Sequence, residues 1–491
     1  MSTDLDYAAD KGGSAKKSLG WNAVSLVGRQ GIVIIVSIVL ARLIGPSSYG
    51  IVTQATVFIT FATLLLDQGL TASLISRSAV PRKVVAAAAG LNFVLGLVLG
   101  ALAVISSGVI ADFFGSPELK MVMMVLGASL VLKGLAVVPR MILMRTFRFR
   151  AFAIADVGGA LAGGVTGLVV AVLGGSYWAV VAQLVVSDII VTIAMVIASR
   201  SPMPSLFWVH LRGYMGFGAR VFGGNLASFA SRNMDNLLIG RLLGAQPLAL
   251  YSIAYRVLLT PVQMVGQVVS RVLFPAISRV SNSPSEVRRL VGRSVRGIAL
   301  AAFPMMGLVG ISANDTVRLV LGEAWIGAIP VLQILALTGA RQAVTSLNAP
   351  ILLGMGRADL HFRFNIIAAV VQVAGIVVGL QGGIIGVAIG YTVAGLALTP
   401  YILWLQKQVM GASMRSQLRD VVPALHATIW AVGAYGALYL FELTSVTRLV
   451  IGSLLAVVVF VLIVVVFHKA LSREFFAEAR VLLHVVRRRA S

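Results

Sequence analysis

Apolar residues run along this chain in blocks of twenty or so, broken at short intervals by glycine, proline and charged clusters. A bilayer core of roughly 30 Å takes about 20 apolar residues per helix. On that measure the pattern predicts an all-α polytopic membrane protein with about fourteen transmembrane helices, over 21–42, 50–75, 84–107, 120–140, 153–173, 177–198, 216–240, 248–277, 295–313, 328–348, 362–380, 383–405, 421–441 and 447–468. The first block is read as a retained span, because it is long, carries Arg29 in its middle and lacks a small-x-small cleavage site.

The composition agrees with the pattern. Of 491 residues, 58% are hydrophobic and 12% charged, which excludes an ordinary soluble enzyme. Fifty glycines in that background suit helices that pack closely in lipid. There are no cysteines, so disulfides, thiolate nucleophiles and cysteine-ligated metals are excluded.

The net charge of +23 would suggest nucleic acid in a soluble protein. Sorted by connection, however, 29 basic residues fall in the two tails and in the loops after even-numbered spans, and five (Arg42, Lys120, Arg241, Arg318, Arg448) in the loops after odd-numbered ones. In that sorting Arg341 is counted with the loop after span 10. Such alternation predicts an even number of spans with both termini in the cytoplasm. The bases are scattered over eight segments rather than gathered on one aromatic-lined patch, so no nucleic-acid partner is expected.

An internal repeat organises the spans. Ala41-Arg42-Leu43-Ile44-Gly45 ends span 1 and Gly240-Arg241-Leu242-Leu243-Gly244 ends span 7, and a proline follows each, Pro46 and Pro247. Gly174-Gly175-Ser176 opens span 6 as Gly382-Gly383-Ile384 opens span 12, and Phe147-Arg148-Phe149-Arg150 before span 5 is echoed by His361-Phe362-Arg363-Phe364 before span 11. Three matches in one order, about 200 residues apart, predict two parallel six-helix repeats around a central cavity, with two C-terminal helices outside the duplication. The expected organisation is a cytoplasmic tail at 1–20, an N-lobe at 21–200, a cytoplasmic linker at 201–215, a C-lobe at 216–406, spans 13 and 14 at 407–469 and a basic tail at 470–491.

Ionisable residues at membrane depth cost about 2.5–3.5 kcal/mol on insertion scales, so they should face a cavity or a partner. Span 1 has Arg29, span 2 a polar stripe of Thr53, Thr56, Thr60, Thr63 and Asp67, span 7 Arg220, Asn225, Arg232 and Asp235, and span 8 Arg256, Gln263, Gln267 and Arg271. These spans hold equivalent places in the two repeats, so the stripes predict a hydrated, basic cavity suited to an anion such as phosphate. Arg232 and Asp235 are three residues apart and either neutralise each other or both face the cavity. Arg271 and Arg220 lie near span ends and either snorkel or bind. Asp67 and Asp235 are candidates for ion coupling, and Asp67 is equally a partner for Arg29. Asp156, Asp188 and Lys133 are read as packing or lobe-edge residues.

No P-loop and no His-Glu-x-x-His motif occurs, so no ATPase, catalytic residue, metal or cofactor is expected. The outer loops are too short for the catalytic domain of a lipid-linked glycosyltransferase, polymerase or ligase.

The stretch Ser231-Arg232-Asn233-Met234-Asp235-Asn236-Leu237-Leu238-Ile239-Gly240-Arg241-Leu242-Leu243-Gly244, with Leu250-Tyr251-Ser252-Ile253-Ala254-Tyr255-Arg256 and the close of span 8 at Val272-Leu273-Phe274-Pro275-Ala276, resembles the exopolysaccharide branch of the Wzx-type polysaccharide flippases. Ala41-Arg42-Leu43-Ile44-Gly45-Pro46-Ser47-Ser48-Tyr49-Gly50 is similar to the same family's entry into span 2. The resemblance implies translocation of an undecaprenyl-diphosphate-linked oligosaccharide across a bacterial inner membrane by alternating access, for exopolysaccharide or lipopolysaccharide synthesis beside a polysaccharide polymerase complex. The related lipid II flippases also carry cavity arginines in spans 1 and 8, so peptidoglycan precursor is an alternative substrate. Multidrug exporters of the superfamily have twelve helices and acidic cavities, against the basic stripes read here. A non-transporting membrane scaffold is the contrasting class.

Overall fold

The computed structural model describes residues 15–67, 71, 74, 80–211, 229 and 233–469, and for some of these the backbone alone. Among them the only regular secondary structure is helical, and nine helical stretches are long and apolar enough to cross a membrane. The chain divides into two compact units, residues 1–250 and 251–491.

The first unit begins with α1, Ala15–Asp67, which covers the first two predicted spans. It is one helix in name only, because Gly45 breaks it with φ 75° and ψ 170°. Only glycine adopts that backbone without strain, and Pro46 then starts the second segment, where its missing N–H loses nothing. The matching glycine of the repeat, Gly244 (φ 94°), separates a helix over 233–242 from the next long helix in the same way. The remaining helices are α2 (Arg82–Ile105), α3 (Ser107–Phe114), α4 (Leu119–Ala128), α5 (Leu130–Arg145), α6 (Phe149–Val172) and α7 (Trp178–Ser199).

Close packing in this unit follows small residues rather than hydrophobicity, as it must where the surrounding lipid is as apolar as the core. Gly159, Gly163 and Gly167 recur every fourth residue on α6, and a Cβ on any of them would collide with α7 at Val191, at the Gln183 carbonyl or at the Ala179 carbonyl. Gly164, on a neighbouring face, lies against Val36 of α1. Between α7 on one side and α1 and α4 on the other, Leu66, Leu119, Met123, Leu126 and Val181 form a buried core. The linker residues 201–211 dock on α2, where the Ser205 N–H donates to the Ala86 carbonyl at 2.9 Å.

α8, Ala245–Arg279, crosses the division between the units. The second unit continues with α9 (Pro284–Ile311), α10 (Ala328–Thr345), α11 (Asn348–Gly354), α12 (Ala358–Gly379), α13 (Gly383–Met410), α14 (Met414–Ala437) and α15 (Ser445–Phe467). Here α12 and α13 meet glycine to glycine, Gly375 and Gly379 against Gly386 and Gly390. That seam is the second unit's counterpart of the one between α6 and α7.

Two sequence readings need correction. Span 9 was expected from residue 295, but α9 starts at Pro284, because its first three turns carry Arg288, Arg289, Arg293 and Arg296 and are helical without being apolar. Arg341, counted with a loop, sits inside α10, one turn from its C-terminal end.

Candidate functional site

In the first unit, α1 carries an open polar face. The Arg29 side chain is exposed, Gln30 is half-buried, and beyond the Gly45 break Thr60 and Thr63 are exposed with Thr56 half-buried above them. Each of these threonines donates to a carbonyl three or four residues earlier, Thr60 to Thr56 at 2.6 Å and Thr63 to Ile59 at 2.7 Å. Their hydroxyl lone pairs therefore stay available as acceptors. Thr53 differs from the rest of the predicted stripe, being buried in the unit with its hydroxyl on the Tyr49 carbonyl.

Three carboxylates of this unit are engaged elsewhere. Lys133 and Asp188 pair at 2.7 Å and Arg140 and Asp156 at 3.1 Å, the packing roles expected for them. Asp235 is 5% exposed, and its Oδ1 accepts the Asn236 N–H at 2.8 Å. Gln54, fully buried, donates to the Gly240 carbonyl at 3.2 Å and fastens the second half of α1 to the 233–242 helix.

In the second unit Arg256 is half-buried on α8. Its neighbour Tyr255 lies edge-on to Tyr391 of α13, ring centres 6.3 Å apart, and the Tyr391 hydroxyl accepts from Gln342 of α10 at 2.9 Å. Thr338 and Thr392 share a buried hydrogen bond of 2.7 Å on the same two helices. Arg341 completes the group, its guanidinium lying over Gly395 where any side chain would collide with it. Sequence reasoning missed this cluster because it assigned Arg341 to a loop and read Tyr391, Gln342 and Thr338 singly. Their spacing on α10 and α13 was the signal available.

Of the other expected site residues, Arg220, Asn225 and Arg232 lie outside the described residues, as do the side chains of Asp67, Gln263, Gln267 and Arg271. Among the described residues no group of His, Asp and Glu is arranged to hold a metal.

The family described as polysaccharide biosynthesis proteins matches residues 39–330, more than half of the chain. The chain belongs to this family. As a polysaccharide biosynthesis protein it is similar to the lipopolysaccharide biosynthesis protein WzxC of Escherichia coli K12, 26% identical over 409 residues that cover 81% of this chain and 82% of that one. It is also similar to the teichuronic acid biosynthesis protein TuaB of Bacillus subtilis 168, 25% identical over 77% of this chain and 79% of that one. Its fold is that of the lipid II flippase MurJ in an inward closed conformation, with a TM-score of 0.74 at 15% identity, covering 92% of this chain and 99% of MurJ. The polysaccharide biosynthesis protein is therefore a multi-pass membrane protein of the transporter fold that the sequence predicted.

Proposed function

We propose that this protein moves a polyprenyl-diphosphate-linked oligosaccharide from the cytoplasmic to the outer leaflet by alternating access, with both termini in the cytoplasm of a bacterial inner membrane. The observation that carries the reading is Arg29, a guanidinium left exposed on an apolar membrane helix that also exposes the acceptor hydroxyls of Thr60 and Thr63. Fixed cations chelate diphosphate and acceptor hydroxyls hold sugars, while a prenyl tail stays in lipid. Family membership supports the substrate class, since its relatives bear the names of polysaccharide pathways. A cation exporter is disfavoured because Asp156 and Asp188 are engaged in ion pairs.

Arg256, Arg220, Arg232 and Arg271 are assigned to the same anion site, with Asn225, Gln263 and Gln267 as sugar contacts. Asp67 and Asp235 are the candidates for proton coupling. A polysaccharide polymerase complex is the partner that would consume the translocated glycan.

The test is lipid-linked oligosaccharide on the cytoplasmic leaflet after gene deletion, complemented by wild type, Arg29→Gln or Arg256→Gln. Accumulation relieved by wild type, and ten-fold or more less by either variant at equal membrane abundance, is the expected result. Full relief by both variants would sink the diphosphate site. Accumulation of peptidoglycan precursor instead would transfer the assignment to lipid II.

A further inference from the structure

The second unit contains a slot of about 1440 Å³, larger than the roughly 300–1,000 Å³ of ordinary small-molecule pockets. It lies among α9, α10, α13 and α14, and its length is mostly apolar. Leu337 and Ile429 line it while 67% and 61% exposed, so its wall is large aliphatic side chains with nothing packed on them within the unit. One end is different in kind. Arg288, Arg289 and Arg296 from α9, Arg419 from α14 and Arg341 from α10 reach the same slot, against a single carboxylate among the described residues, Asp420. Asp420 is held by Arg296 at 2.7 Å. The Nε of Arg341 is buried with no hydrogen-bond partner, an orphan donor facing an unfilled volume.

We propose that this slot binds one anionic glycerophospholipid of the cytoplasmic leaflet, its phosphate among these arginines and its acyl chains along Leu337 and Ile429. The chemistry selects the occupant at both ends. Bare aliphatic walls inside a membrane protein match acyl chains, and a ring of guanidinium groups at the headgroup level matches a phosphate that carries net negative charge. A soluble anion would leave the walls uncovered, and an uncharged lipid would bring no net charge to match Arg288, Arg289, Arg341 and Arg419. Neither Arg29 nor Arg256 lines the slot, although Arg341 borders both it and the Tyr391 cluster, and the proposal does not depend on what is transported at Arg29.

The test uses the full chain reconstituted in vesicles of phosphatidylcholine with a minor fraction of phosphatidylglycerol, extracted into detergent, and assayed by native mass spectrometry for retained lipid. Wild type is expected to retain one phosphatidylglycerol per chain in preference to phosphatidylcholine. The triple substitution Arg288→Gln, Arg289→Gln, Arg419→Gln should lower that preference by roughly ten-fold or more, since each basic group near anionic lipid contributes a factor of about five. Leu337→Trp with Ile429→Trp, which fills the slot from exposed positions, should abolish retention of both lipids, with unchanged thermal unfolding confirming that the fold is intact. Arg29→Gln should retain lipid as wild type does. Unchanged retention in the slot-filling variant overturns the site. Displacement of phosphatidylglycerol by equimolar undecaprenyl phosphate overturns the choice of occupant and makes the slot part of the substrate path. Loss of retention in Arg29→Gln overturns the separation of the two sites.

Discussion

The two ends of the second unit handle charge in opposite ways. At one end Asp315, fully buried, takes Arg448 at 3.3 Å, the Tyr435 hydroxyl at 3.2 Å and the Tyr439 hydroxyl at 3.0 Å. Arg448 also donates to the Leu443 carbonyl at 2.7 Å and lies 4.3 Å over the Tyr439 ring. One carboxylate thereby ties the turn after α9 to the end of α14 and the start of α15. At the basic end, five arginines meet one carboxylate around an unfilled slot. The same residue types build a closed clamp in one place and an open binding surface in the other, and what separates them is the ratio of acids to bases. Arg318 is likewise engaged, on Glu323 at 2.6 Å, and in the first unit Arg241 lies over the Phe113 ring at 5.1 Å.

The largest effect should come from breaking the clamp. Asp315→Ala leaves Arg448, 14% exposed, without its counter-ion and removes the acceptor of two tyrosines. Removing one partner of a buried pair costs about 3–5 kcal/mol. Thermal unfolding in detergent should fall accordingly, and Arg448→Met added to Asp315→Ala should recover part of the loss. A single variant that unfolds with the wild type would make the clamp incidental.

The corresponding change at the basic end should barely register in stability. Arg296 and Asp420 pair at 2.7 Å but remain 26% and 24% exposed, which places them near the exposed class worth about 0–1 kcal/mol. Asp420→Asn should therefore unfold close to wild type. It should also raise phosphatidylglycerol retention, because it removes the only carboxylate lining the slot among the described residues. A loss comparable to that of Asp315→Ala would erase the distinction between the two ends.

Most of the helix positions, the Gly45 break and its echo at Gly244 were legible, because apolar length, glycine and proline act through local physics. The seams of glycine on α6 and between α12 and α13 were legible as spacing but not as pairing, since which helix a glycine stripe meets is set by tertiary packing. The charge alternation marked which ends are basic. It did not distinguish a solvated arginine from Arg341, because a helix end hidden by polar residues looks like a loop to a hydropathy window. Asp315 escaped notice for the converse reason. It stands in a short turn whose burial comes from α14 and α15, more than a hundred residues later. On Arg29 the sequence places a charge within an apolar helix, and the structure leaves that side chain exposed.

The smallest expected effect sharpens the basic end further. His468, the residue after α15, meets His426 of α14 with Nε2 3.2 Å from Nδ1. Trp430 donates its indole N–H to the His426 Nε2 at 3.0 Å, which leaves the His426 proton on Nδ1, pointing at His468. His468 is thus an acceptor, and protonating its Nε2 removes that bond. Burial, and then the neighbouring His426, hold His468 below the usual histidine value. The unfolded chain consequently binds the proton more readily than the folded one. The stability that the neutral pair contributes is present above the unfolded pKa of about 6.5 and is lost as pH falls from there toward the lower folded value. Thermal unfolding followed from pH 8 to pH 5 should show a modest decline below about pH 6.5. The decline should flatten in His468→Gln, and Asp315→Ala should keep it, because the Asp315 clamp contains no histidine. An equal decline in His468→Gln would place the acid sensitivity elsewhere and detach this pair from the slot it borders.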